Sequence, residues 1–193
     1  MVRFSRREFL GTLAASGAAA KAGFAERWNQ SMVRMDWAKG LLEAGAEVRE
    51  SVKMLGQLEG IFENSAALRA MDPATVVYRV QAWCPVPEGT EGGLFWGTTV
   101  IEPGKVDSEY FMTHGHFHQK RDRTEYYVTF EGEGALILMD GNRRTWVESM
   151  AAGSVHHIPP KGAHRIANVG DVPLRIVACW PSDAGHDYDS VRS

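Results

Sequence analysis

Cysteine is scarce in this chain: Cys84 and Cys179 are the whole thiol complement of 193 residues. No Cys-x-x-Cys pair occurs, which excludes a structural zinc ribbon. Both cysteines lie in apolar, strand-like runs, Val80–Cys84 and Ile176–Trp180, and read as buried thiols rather than a disulfide framework. Long apolar runs are missing as well. The stretch from Leu10 to Ala20 is too short and too rich in alanine to span a bilayer, so no stable membrane insertion is expected. Basic residues form no patch: 21 Lys and Arg stand against 24 Asp and Glu, a formal charge of −3, which argues against nucleic acid as a partner. Low-complexity tracts, internal repeats and interdomain linkers are also absent. With 44% apolar and 23% charged residues, what remains is one globular domain of ordinary size.

The N-terminus carries its own signal. Ser5-Arg6-Arg7-Glu8-Phe9-Leu10 is a twin-arginine export motif, followed by an uncharged Ala/Gly-rich run and small residues that end at Ala25. Residues 1–25 are therefore expected to be a leader, cleaved after Ala25 or Ala20. Its loss takes the formal charge from −3 to about −6. The expected destination is periplasmic or extracytoplasmic.

Periodicity divides the remainder. Val48, Val52, Leu55, Leu58 and Phe62 recur at three-to-four spacing, so Asp36 to Phe62 is expected to be helical, with a short second helix over Ser65–Met71 closed by Asp72-Pro73. From Thr75 onward, β-branched and aromatic runs alternate with turn sequences such as Pro85-Val86-Pro87-Glu88-Gly89 and Asp140-Gly141-Asn142. Around ten short strands without intervening helices indicate a sandwich or jelly-roll barrel. Residues 26–72 are thus expected to form a helical segment packed on a barrel of residues 73–193.

One constellation carries chemistry. His116 and His118 alternate along a strand and point the same way, and Glu125 opens the next β-rich run. His164, in Pro159-Pro160-Lys161-Gly162-Ala163-His164, completes a His₃Glu set. Imidazole and carboxylate ligands with open positions suit Fe²⁺, Mn²⁺, Ni²⁺ or Zn²⁺ acting as a Lewis acid. The competing reading is of half-buried strand histidines that bind no metal.

These motifs resemble the cupin superfamily. Gly153, Pro159, His164 and Asn168 follow its second motif, and His116-x-His118, Glu125 and Gly132 its first, although Tyr110 stands where a glycine is usual. Six residues separate His118 from Glu125, where most cupins have three or four. That spacing resembles one branch, the cupin-type phosphoglucose isomerases. The similarity runs from about Arg34 to Tyr188 through Leu58–Phe62, Thr98–Val100, Pro103–Val106, Gly115–His118, Asp122–Glu125, Asn168–Pro173 and Asp183–Tyr188.

The resemblance implies a mainly β fold, a cupin jelly-roll barrel (double-stranded β-helix), and a metal-dependent isomerase interconverting glucose 6-phosphate and fructose 6-phosphate. It implies one divalent metal per subunit on His116, His118, Glu125 and His164, with Fe²⁺ first. Glu125 is the expected base in a cis-enediolate mechanism, a hydride shift between C1 and C2 being the alternative, with Tyr127, His186 and Tyr188 handling ring opening and hydroxyl protons. Thr99, Thr113 and Gly115 fall where the family binds the sugar phosphate. Lys161 and Trp180 replace pocket-side tyrosines. A homodimer is implied, and a cytoplasmic location is usual for the family. The alternative is an exported cupin that acts on or binds an unphosphorylated or different sugar.

Overall fold

The computed structural model describes residues 33–43 and 48–192; the expected leader, residues 1–25, lies outside them. The strands run β1 (Met35–Asp36), β2 (Leu41–Leu42), β3 (Val48–Met54), β4 (Val76–Trp83), β5 (Leu94–Ile101), β6 (Lys105–Val106) and β7 (Glu109–Tyr110). They continue as β8 (His116–Phe117), β9 (Glu125–Glu131), β10 (Glu133–Met139), β11 (Thr145–Ala151), β12 (Val155–Ile158), β13 (Ala163–Asn168) and β14 (Leu174–Pro181). Helix α1 (Ser65–Ala70) precedes β4 and the single turn α2 (Asp189–Arg192) follows β14.

Two antiparallel sheets make the jelly roll. Six strands run in the order β12-β9-β14-β5-β4-β3, and four in the order β11-β10-β13-β8. The core lies between them, with Ile101, Tyr127, Leu174 and Ile176 from the larger sheet meeting Leu136, Leu138, Met150 and Ile166 from the smaller. Alternation along the strands sends these side chains inward. On β9, Glu125, Tyr127 and Thr129 are buried while Tyr126 between them is exposed. Asn168 locks the corner between β13 and β14. Its amide donates to the carbonyls of Ile101 and Val172 at 2.9 Å each, and its oxygen accepts from the Gly170 N–H at 3.0 Å. Gly132, at φ +82°, joins β9 to β10, and a Cβ there would come within 2.8 Å of the Pro173 carbonyl oxygen.

The helix expected over Asp36 to Phe62 is not formed. Residues 48–54 are strand β3, paired along its length with β4 as the outermost strand of the larger sheet, and only a 3-10 turn, Leu55–Gln57, follows. The sequence Val-Arg-Glu-Ser-Val-Lys-Met shows too little apolar alternation to announce a strand, because an edge strand buries little of either face. Cross-strand pairing decides its conformation over local spacing. The helix expected at Ser65–Met71 is present as α1, capped by the Asn64 side chain accepting from the Ala67 N–H. No disulfide joins Cys84 to Cys179.

Candidate metal centre

Strand register assembles the cluster. β8 pairs with β13 so that His116 lies directly opposite His164. His118 follows two positions on, and Glu125 enters from β9 of the other sheet. One ligand atom from each of His116, His118, Glu125 and His164 lies within 4.8 Å of all the others. Glu125 Oε2 stands 3.3 Å from Nε2 of both His118 and His164. Cis ligands at bond lengths of about 2.1 Å sit roughly 3 Å apart, so this spread suits a single ion.

The polar atoms fit that occupant. His116 Nε2 and His164 Nδ1 are buried without a hydrogen-bond partner, and His164 Nε2 faces only the Glu125 carboxylate, which is costly unless these nitrogens serve a ligand. His118 Nδ1 lies 3.1 Å from the Arg123 carbonyl oxygen; a carbonyl only accepts, so Nδ1 carries a proton and the ring is oriented with Nε2 facing Glu125. Burial, together with the neighbouring His164, His186 and His118 rings, pushes His116 well below the usual histidine range. Its imidazole is therefore neutral and free to donate a lone pair. Burial alone would raise the Glu125 carboxyl, but hydrogen bonding and charge at His118 and His164 outweigh it and hold the group below its usual value.

Beside the cluster opens a cavity of about 290 Å³. Glu125 is its one carboxylate and Lys53 its one permanent cation among the described residues. Tyr127, Thr99, Thr113 and Trp180 line it with His116 and His164, while His186 and Tyr188 stand at its mouth, partly exposed. Burial, reinforced by the Glu125 charge, raises the Tyr127 hydroxyl well above its usual range, so Tyr127 stays protonated. His186 and Tyr188 stack with ring planes 7° apart, His186 lies 4.5 Å from the His116 ring and Tyr188 stacks on His114 at 4.4 Å. Thr113 is fixed by two bonds to Ile166: its N–H donates to the carbonyl at 2.9 Å and its hydroxyl oxygen accepts from the N–H at 3.0 Å. Trp180 fits because residue 97 is glycine, where a Cβ would meet the indole at 2.8 Å.

Two expected pocket residues do not line the cavity. Lys161 is exposed at a left-handed turn position (φ 64°), its N–H bonded to the Arg121 carbonyl. Gly115 is buried against Arg165, whose Nε would lie 2.8 Å from an added Cβ. Conversely, Ser51, Lys53, Tyr78 and His114 line it without having been singled out by the sequence. Ser51 and Lys53 alternate on β3, a pattern hidden by the helical spacing around it.

A family model described as Glucose-6-phosphate isomerase matches residues 52–193. The glucose-6-phosphate isomerase of Pyrococcus furiosus is 41% identical over 165 residues, 82% of each chain. That of Thermococcus litoralis is 39% identical over 163 residues, again 82% of each. The protein of that name from Sinorhizobium medicae is 37% identical over 142 residues, 72% of this chain and 65% of the relative. On this evidence the chain belongs to the glucose-6-phosphate isomerase family.

Proposed function

We propose that this protein interconverts glucose 6-phosphate and fructose 6-phosphate. The observation that carries the reading is Glu125, the single carboxylate among the described residues that line the cavity, held ionised beside His118 and next to two histidines, His116 and His164, with unused ring nitrogens. His116, His118, Glu125 and His164 would hold one divalent cation, with Fe²⁺ first. When bound, that cation supplies Lewis-acid polarisation of the substrate oxygens at C1 and C2.

Aldose–ketose isomerisation moves one proton between adjacent carbons. Glu125 takes it from one carbon and returns it to the other through a cis-enediolate, acting as base and then acid. Tyr127, protonated and beside Glu125, donates a hydrogen bond to a substrate oxygen. His186 and Tyr188, at the mouth, open the sugar ring and relay hydroxyl protons. Thr99 and Thr113 offer hydroxyl donors, and Lys53 supplies positive charge for a phosphate.

The test is reconstitution. Protein stripped of metal and reloaded separately with Fe²⁺, Mn²⁺, Ni²⁺ and Zn²⁺ is assayed for conversion of fructose 6-phosphate, with fructose as the parallel substrate. Turnover of the phosphorylated sugar is expected. Bound metal by elemental analysis without turnover of either sugar overturns the isomerase reading, and turnover of fructose alone assigns the unphosphorylated alternative.

Export by the twin-arginine leader is part of the same proposal, as is a homodimer. Arg6→Lys with Arg7→Lys is expected to retain the protein in the cytoplasm; an unchanged distribution would show that the leader is not used. Sedimentation at twice the monomer mass is the expected result for the dimer.

A further inference from the structure

The six residues between His118 and Glu125 do more than return the chain to the cluster. Their side chains and backbone converge on the segment that carries His186 and Tyr188. Arg123 grips the buried Asp183 with two bonds, Nε to Oδ1 at 2.9 Å and Nη2 to Oδ2 at 2.7 Å, and Lys120 adds a third at 2.8 Å. The Lys120 N–H donates to the Ala184 carbonyl at 3.0 Å. Gln119 packs over Gly185, whose φ of +62° and lack of a Cβ allow the approach.

The last link reaches the residue between the two aromatic groups. Arg121 Nη2 donates to the carboxylate of Asp187, and the Arg121 guanidinium lies 4.2 Å over the Phe117 ring. Asp187 and Phe117 exchange backbone bonds of 2.8 and 3.1 Å, which add the tail as an extra rung beside the His116–Phe117 strand. On an extended segment, neighbours of a residue project to the opposite face from it. With Asp187 turned outward to Arg121, His186 and Tyr188 turn inward to the cavity, where both line the wall.

We propose that the loop Gln119–Thr124 is a docking clamp for the catalytic tail, and that Arg121 is a positioning residue acting through Asp187 on His186 and Tyr188. This rests on the isomerase reading for what the tail does, though not for how it is held. The clamp accounts for the length of the spacer: a tighter turn would bring Glu125 to the cluster equally well but could not carry Lys120, Arg121 and Arg123 across to the tail. Arg121 neither lines the cavity nor belongs to the four ligand residues. Its contribution is geometric, and a small displacement of reacting groups costs roughly 10- to 100-fold in rate.

The decisive comparison uses Arg121→Met in two backgrounds of the full-length, metal-loaded enzyme. In the parent, kcat is expected to fall roughly 10- to 100-fold with KM and metal content near parent values, and Arg121→Lys is expected to recover part of it. In a His186→Ala, Tyr188→Phe background, the same substitution is expected to cost less than about twofold, because its targets are already gone. A full additional loss in that background, or an unchanged kcat in the parent, overturns the proposal. Hydrogen exchange of the 182–188 segment is read on the same samples by mass spectrometry. Faster exchange there, with β13 unchanged, is expected for Arg121→Met, and parent-like exchange defeats the clamp. If the parent shows no isomerase activity with any cation, the functional reading fails and the exchange result alone decides the clamp.

Discussion

A carboxylate 6% exposed inside a barrel is expensive unless its charge is answered, and at Glu125 the answer comes from the His118 and His164 imidazoles, each 3.3 Å away. Structural stability would be served as well by an apolar residue there. The proposed role of this carboxylate, the one acidic group among the described residues that line the cavity, is proton transfer. Glu125→Gln preserves volume and polarity, so the fold should survive while turnover falls by roughly 10²- to 10⁴-fold. Running the parent reaction in deuterated water should place deuterium at the transferred position of the product. Absence of solvent label, with turnover intact, would mean an internal hydride shift and remove the base role. Lys53 is the second residue of this kind, since a surface explanation fails for a half-buried cation on the cavity wall. Lys53→Met keeps the stem and deletes the charge. It should raise KM for fructose 6-phosphate by about 5- to 10-fold, the worth of about one charge-assisted contact of roughly 1–1.4 kcal/mol. The inhibition constant for inorganic phosphate should rise in parallel, and an unchanged value would move the phosphate to another part of the wall.

Elements decide how these residues meet, and they were unevenly legible. The strands from Val76 to Pro181 could be read from runs of β-branched and aromatic residues, helped by alternating burial along β9, β10 and β12, though β11 buries Met150 alone. The cluster was legible for the same reason: alternation put His116 and His118 on one side, and a tight turn after Pro159-Pro160 returned His164. β3 was not legible, because Arg49, Glu50 and Ser51 are exposed and its identity comes from pairing with β4, a contact distant in sequence. Lys53 and Ser51 were hidden along with it. Gly115 and Lys161 were placed by motif position, but the backbone turns that seat them face Arg165 and Arg121 instead. The clamp could not be read at all, since Asp183 and Arg123 lie 60 residues apart. Its ion pairs give the fold a pH dependence. Hydrogen bonds from Arg123 and then Lys120 hold the Asp183 carboxyl well below the usual carboxylate range. A carboxyl whose folded-state pKa is depressed adds stability above its unfolded value of about 3.9, and that stability is lost as pH falls through the folded value. The window therefore lies below about pH 4. Asp183→Asn should lower the thermal midpoint at pH 7 and flatten its decline between pH 4 and 2.5. A decline as steep as the parent's would assign the acid sensitivity elsewhere.

At the scale of the whole molecule, the four ligand residues do not belong to one sheet. His116 and His164 sit on paired strands of the four-stranded sheet, His118 just beyond, while Glu125 starts a strand of the six-stranded one. A cation bound among them would join the two layers at the cavity, and the unfolded chain would offer no comparable site. Binding to the folded state alone adds RT ln(1 + [L]/Kd), about 2.7 kcal/mol at a hundredfold excess over Kd. For a domain of this size each kcal/mol moves the midpoint by roughly 2–4 °C. Chelation should therefore lower the melting temperature by roughly 5–10 °C, and restoring the cation should recover it. His164→Gln removes one ligand at the heart of the cluster, so its melt should begin near the chelated parent's midpoint and respond little to chelator or cation. A parent whose midpoint is indifferent to chelation, with loss of the metal confirmed by elemental analysis, would show that the sheets need no bridge. The buried histidines would then have to be explained by catalysis alone, because the packing around them leaves their ring nitrogens unanswered.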